Sequence, residues 1–269
     1  MSDKRPKIAI LDMNNNVPNQ GLRCIKEIVE QFDDEASWKI YDVRHKNEFP
    51  DLTHDIYISS GGPGSPHEQG EWRKPYFKLM DEARRKGKHV FFICYSFQLA
   101  CYHFGLSKVT KRRRTSFGVY PIHKTKAGRE DVLLEGLSDP YYAVDSRDWQ
   151  VVQPDMTRFR KLKARILSLE KIRTNVEYER AIMAVRFSST MVGTQFHPEA
   201  DPYGMKNHLL TEENKIKIIK NFNLQKYEET LAQLEDPEKI KLTHETLLPQ
   251  FIRNSLTSLK TRKEELNLI

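Results

Sequence analysis

His89-Val90-Phe91-Phe92-Ile93-Cys94-Tyr95-Ser96-Phe97-Gln98 holds the turning point of this chain. His89 to Ile93 is short and apolar, as a strand buried on both faces should be. Tyr95 to Phe104 then reads as a helix, which puts Cys94 on the corner between the two. A thiol there feels the positive end of the helix dipole and lies near backbone N–H groups that the first turn leaves free.

Reading outward, the same alternation recurs. Lys7 to Asp12 is a buried-type strand, followed by the polar loop Asn14-Asn15-Asn16 with Pro18. Gln20 to Phe32 carries the helical stripe Leu22, Ile25, Ile28, Val29, Phe32. Trp38 to Val43 is a second strand, and Asp55 to Ser60 a third that ends in Gly61-Gly62-Pro63-Gly64-Ser65. Trp72 to Arg85 reads as a helix that Gly87 ends. Strands and helices alternating at this spacing predict an α/β fold with a mostly parallel sheet covered on both faces.

Beyond Gly105 the pattern changes. Phe117 to His123, Tyr141 to Val144, Ala164 to Leu169, Ala181 to Phe187 and Met191 to Gln195 read as strands with few helices between them. That predicts a meander, an antiparallel or mixed extension of the sheet. From about Met205 the chain is helical and charged, which divides it into a domain of residues 1–204 and a helical C-terminal extension of residues 205–269. In the extension Ile216, Ile219 and Leu224 form part of one stripe, with a slip near Asn223. Leu248, Ile252, Leu256 and Leu259 form another, and Pro249 suits only a first helical turn. Such stripes pack on the parent domain or bind a partner or second copy.

Composition narrows the classes. At 38% hydrophobic and 30% charged residues the chain can bury a core. No apolar stretch reaches the roughly 18 residues of a membrane span, and Met1 to Lys7 has no apolar signal region. The expectation is a soluble cytoplasmic protein with no membrane partner. Cys24, Cys94 and Cys101 are not spaced as metal ligands or as a disulfide framework, so no metal is expected. Residues 212–269 hold ten Lys/Arg and ten Asp/Glu, so the net charge of +7 belongs to the rest of the chain. The one dense basic run, Lys111-Arg112-Arg113-Arg114, lacks interleaved aromatics that stack on bases. It reads as a solvated loop, or secondarily as an interface patch, and no nucleic acid is expected.

A second stretch completes a chemical set: Gly193-Thr194-Gln195-Phe196-His197-Pro198-Glu199. A corner cysteine, a distant histidine and a carboxylate two residues beyond it are the parts of a thiolate hydrolase or acyl transferase. In an extended segment a spacing of two puts His197 and Glu199 on one side. Gln98 lies one helical turn from Cys94 and shares its face.

Three islands now stand in order: Ser59-Ser60-Gly61-Gly62-Pro63-Gly64-Ser65, Ile93-Cys94-Tyr95-Ser96-Phe97-Gln98, and Gly193 to Glu199. In order and spacing, over roughly residues 7–204, they resemble the class I (triad-type) glutamine amidotransferase domain. The look is closest to the glutaminase domain of GMP synthase and its free-standing relatives. The resemblance implies a flavodoxin-like doubly wound sheet and hydrolysis of the glutamine side-chain amide without a cofactor. It makes Cys94 the nucleophile, His197 the general acid/base and Glu199 the group that orients His197. It puts the oxyanion donors at the N–H of Gly62 and of Tyr95, and brings Gln98 against bound glutamine. In relatives the amide nitrogen leaves as ammonia for a synthase partner. No ATP-pyrophosphatase signature or phosphate loop occurs in these 269 residues, so a synthase partner protein is the expectation that goes with the resemblance.

The chain departs from that pattern. The family's corner reads Gly-x-Cys-x-Gly-x-Gln, and here Phe92 and Ser96 replace the glycines. Either the backbone differs, or a neighbouring side chain has shrunk to make room. Ser96 also brings a hydroxyl that can bond at the helix end. At Asp145-Ser146-Arg147-Asp148 relatives have Ser-His beside the bound amino acid, which makes Ser146 and Arg147 candidate substrate contacts. Arg147 can meet a carboxylate bidentately, or it is a surface residue. The same triad serves a glutamine amidotransferase and a γ-glutamyl amide or peptide hydrolase. The lost glycines keep a third reading open, a catalytically weak binding or regulatory module.

Overall fold

A computed structural model describes residues 5–171 and 180–267; Met1 to Lys4, part of the start read for a signal region, lie outside it. The elements, in chain order, are β1 (Lys7–Asp12), α1 (Gln20–Glu30), β2 (Ser37–Asp42), β3 (Ile56–Ser59), α2 (Arg73–Arg85), β4 (His89–Ile93) and α3 (Tyr95–His103). Then come β5 (Ser107–Lys124), α4 (Lys126–Arg129), β6 (Tyr141–Pro154), α5 (Met156–Leu162), β7 (Arg165–Glu170), β8 (Ile182–Arg186) and β9 (Met191–Thr194). Last come α6 (Pro202–Leu210), which runs across the expected boundary at 204, then α7 (Glu212–Asn221), α8 (Leu224–Glu235) and α9 (Leu242–Asn267).

The strands make one sheet in the order β2-β1-β3-β4-β9-β8-β7-β5-β6. The first five are mutually parallel, and β8, β7, β5 and β6 continue the sheet antiparallel. The fold is flavodoxin-like. Side chains alternate along each strand, so each face has its own core. Ile8, Ile10, Ile58, Phe91 and Ile93 meet α1 and α9 on one face. Ala9, Leu11, Tyr57, Val90 and Phe92 meet α2 and α3 on the other.

The extension packs onto the domain. Leu248, Ile252 and Leu256 are buried in the α1-face core, and the Phe251 ring stands edge-on to Phe91 at 5.2 Å. Pro249 lies inside α9, well past its first turn. Burial of its neighbours Leu247, Leu248 and Phe251 outweighs the backbone hydrogen bond that a proline forfeits. The stripe expected from Ile216 through Leu224 is broken. Asn223 caps α8 by accepting from the Lys226 N–H at 2.7 Å, so a new helix starts there. Of that stripe Ile219 is half-buried while Ile216 and Leu224 are exposed; the buried residue is Ile218, outside it. Residues on both sides of position 204 share one apolar cluster, with Val119 and Val144 from the sheet packed against Leu209, Ile218 and Tyr227.

Two expectations about local structure are corrected. Lys111 to Arg114 is not a loop but part of β5, where the register against β6 shifts between Lys111 and Ser116. Lys111, Arg113 and Arg114 point to solvent, whereas Arg112 turns inward to Glu170 and to the Gln150 side chain. Residues 145–148 also lie in strand, because β6 runs on to Pro154.

Candidate active site

β3, β4 and β9 are neighbours, so their carboxyl ends bring the three sequence islands to one edge of the sheet. Cys94 turns the corner from β4 to α3 with φ +47° and ψ −98°, a region costly for a side-chain-bearing residue. The Cys94 N–H donates to the Thr194 carbonyl at 2.8 Å, and its own carbonyl accepts from Gln98 N–H at 3.0 Å. These bonds hold the strained residue and aim its Sγ out of the corner.

His197 follows β9, and its N–H donates to the Val144 carbonyl of β6 at 2.9 Å. Its Nδ1–H donates to Glu199 Oε1 at 2.8 Å. That bond fixes the tautomer and leaves Nε2 to the cavity. The Cys94 side chain and the His197 ring face each other closely enough for the sulfur to act on the imidazole's charge. Gly61 lies between them: a Cβ on it would stand 2.9 Å from His197 Cε1 and 3.5 Å from Cys94 Cβ. The structure thus brings Cys94, His197 and Glu199 together. Burial opposes a charged imidazole, but the Glu199 carboxylate and the Cys94 sulfur outweigh it and hold His197 well above the ordinary histidine range. Glu199 is itself buried. Burial pushes the thiol of Cys24 up to about 12 and that of Cys101 well above the usual thiol range.

The loop after β3 is braced from two sides. Gly62 presses against β1's exit, where an added Cβ would lie 2.1 Å from the Met13 carbonyl, so only glycine fits. The Arg44 guanidinium donates to Met13 O at 2.8 Å and Pro63 O at 2.6 Å, pairs with Glu68, and stacks 4.6 Å over the Tyr95 ring. The Tyr95 hydroxyl donates to Glu68 at 2.9 Å. As the first residue of α3, Tyr95 has a backbone N–H with no partner inside the helix.

The replaced glycines have physical answers. Phe92 faces away from the corner into the α2/α3 core, 5.5 Å from the Phe187 ring. Its register partner is Gly193, where a Cβ would come within 2.8 Å of Phe92 Cβ; the small neighbour sits directly opposite. Ser96 donates to the Ser60 carbonyl at 2.7 Å and bonds Ser59 Oγ at 2.8 Å, which in turn meets the Tyr76 hydroxyl at 2.8 Å. The new hydroxyl ties α3 to the glycine loop.

Gln98 donates to Trp149 O at 3.3 Å and Gln195 Oε1 at 3.2 Å, and Gln195 Nε2 lies 3.8 Å from Cys94 Sγ. Gln195 was not singled out from the sequence, although it lies between Gly193 and His197. The Ser146 side is open, and its carbonyl lies 3.8 Å from Cys94 Sγ. Arg147 is not at the surface: it is 4% exposed, and its Nε donates to Asp145 at 2.9 Å. Its other nitrogens face the Trp149 carbonyl, Met183 Sδ and, at 3.8 Å, Glu170. Cys94, Tyr95, Gly62, Gln98, Ser146, Arg147, His197 and Glu199 all line one cavity of about 680 Å³. No cluster of potential metal ligands occurs among the described residues, and no described helix is long and apolar enough to cross a membrane.

The family model "Glutamine amidotransferase class-I" matches residues 22–216. No curated protein sequence matches the chain significantly. Among solved structures, a glutamine amidotransferase from Thermotoga maritima superposes with TM-score 0.71 at 16% identity, covering 94% of this chain and 99% of its own. A glutamine amido transferase from Methylobacillus flagellatus gives 0.63 at 13% identity, with 93% and 94% covered. A putative GMP synthase subunit from Thermoplasma acidophilum gives 0.54 at 16% identity, with 74% and 87% covered. At these identities the likeness is one of fold.

Proposed function

The chain belongs to the class I glutamine amidotransferases, and from that premise we propose that it opens the side-chain amide of glutamine through a Cys94 thioester. The observation that carries this reading is the line Cys94–His197–Glu199 beside the glycine loop. Cys94 passes its proton to His197, and the thiolate adds to the γ-carbonyl carbon. The oxyanion meets the N–H groups of Gly62 and Tyr95, each such donor contributing about 3 kcal/mol to the transition state. His197 gives its proton to the departing nitrogen and then draws one from the water that releases glutamate. Glu199 holds the imidazole in the required tautomer. Gln98 and the Ser146 carbonyl hold the amino-acid end, with the Arg147 charge beneath them.

The ammonia goes to a separate synthase, as in GMP synthase-like systems. Three free thiols suit a reducing cytoplasm. A second reading, a partner-free γ-glutamyl amide hydrolase, is favoured by the cavity's size, since about 680 Å³ is room for a drug-sized ligand. Ammonia and glutamate release from glutamine and from γ-glutamyl dipeptides, compared with Cys94→Ala, tests the chemistry. Turnover that survives in the mutant would sink it.

A further inference from the structure

The cavity has two unlike ends. Around Gln98, Ser146, Arg147, Asp148 and Trp149 it is polar. Toward α6 and α7 it carries a group of apolar side chains, set among His208, Asn214 and Asn221. Val144, whose carbonyl accepts the His197 N–H, packs in one cluster with Met205, Leu209, Ile218 and Phe222. All five line the same cavity as Cys94, and four of them come from α6, α7 and the turn after α7. Chemistry fixes which half of a substrate meets that wall. His197 must protonate the departing nitrogen, so the amine leaves on its side. Ammonia gains nothing from an apolar wall, whereas each buried methylene of an alkyl group does.

We propose that this wall is a leaving-group subsite, and that the chain hydrolyses γ-glutamyl amides of alkyl or aryl amines. The proposal rests on the Cys94–His197–Glu199 reading. The Cys94 sulfur bonds to the γ-carbonyl carbon and the C–N bond breaks. The amine departs with a proton from His197, and water cleaves the thioester to glutamate.

The test is a series of γ-glutamyl n-alkylamides, from methyl to n-butyl, whose amines have near-equal basicity. Calorimetry on Cys94→Ala chain reads binding without turnover. The n-butylamide is expected to bind at least tenfold tighter than the methylamide, as three partly buried methylenes imply. Phe222→Ala or Met205→Asn, each made in the Cys94→Ala chain, should shrink that ratio severalfold; two variants guard against one that misfolds. Labelling of wild-type Cys94 by a glutamine-like diazoketone checks the chemistry beneath. A labelled Cys94 with a flat alkyl series overturns the subsite alone. An unlabelled Cys94 overturns the triad on which both readings stand.

Discussion

Replacing Ser96 by alanine tests whether this residue, foreign to the family's corner, has become part of the site. Ser96 Oγ–H donates to Ser60 O, so it must accept from Ser59, which in turn accepts from Tyr76. The three hydroxyls form one ordered chain ending at the residue before Gly61-Gly62. Ser59, Ser60 and Ser96 are all buried. Ser96→Ala strands the Ser60 carbonyl without its donor, at a cost of about 1–3 kcal/mol. For a chain of this size that lowers Tm by roughly 2–4 °C per kcal/mol, and calorimetry would read it directly. The freed loop carries the Gly62 donor, so kcat for glutamine should fall about tenfold, equivalent to about 1.4 kcal/mol. KM should change little, because the loss is felt in the transition state. A Ser96→Ala protein as stable and as active as wild type would show that the hydroxyl only fills space.

Other substitutions probe separate parts of the account. His197 has its proton affinity raised by folding, so its ion pair contributes stability below the unfolded pKa of about 6.5, and that contribution fades as pH climbs through the folded value. Denaturant melts should therefore show the gap between wild type and His197→Gln widest in mild acid and narrowing as pH rises; a gap that grows with pH contradicts it. Arg147→Met leaves the buried Asp145 charge without its ion partner, held only by the Ser116 hydroxyl, and should cost about 3–5 kcal/mol by chemical denaturation, whereas an exposed arginine would cost almost nothing. His244 of α9 donates from Nδ1 to the Glu199 carbonyl at 2.9 Å. His244→Ala should lower kcat by about fivefold to tenfold for a lost bond of about 1 kcal/mol, with KM preserved; equal losses in both would mean a general loosening.

Much of the fold and part of the site are legible in the sequence alone. The β4–Cys94–α3 corner announces itself by a change of period, and the Gly193-to-Glu199 segment carries a rare residue set. What escaped the sequence was set by partners far away along it. Arg147 looks like any charged residue of a strand until Asp145 and Glu170 enclose it. Lys111 to Arg114 lacks the apolar alternation of a strand, and within β5 only Lys111 of the run pairs with β6 before the register shifts. Pro249 was expected to start a helix, and core burial on both sides of it overrode local preference. That α6 and α7 wall the cavity, and that His244 reaches Glu199, follows from packing that no local pattern encodes.

The central claim is that the sulfur of Cys94 becomes acylated. Rapid acid quench of the chain with glutamine, followed by intact mass and peptide mapping, measures it most directly. A γ-glutamyl adduct is expected on the peptide bearing Cys94, absent in Cys94→Ala and accumulating in His197→Gln if deacylation is slowed more than attack. Glutamate formed from glutamine at an undiminished rate by Cys94→Ala, with no adduct on any thiol, would contradict it.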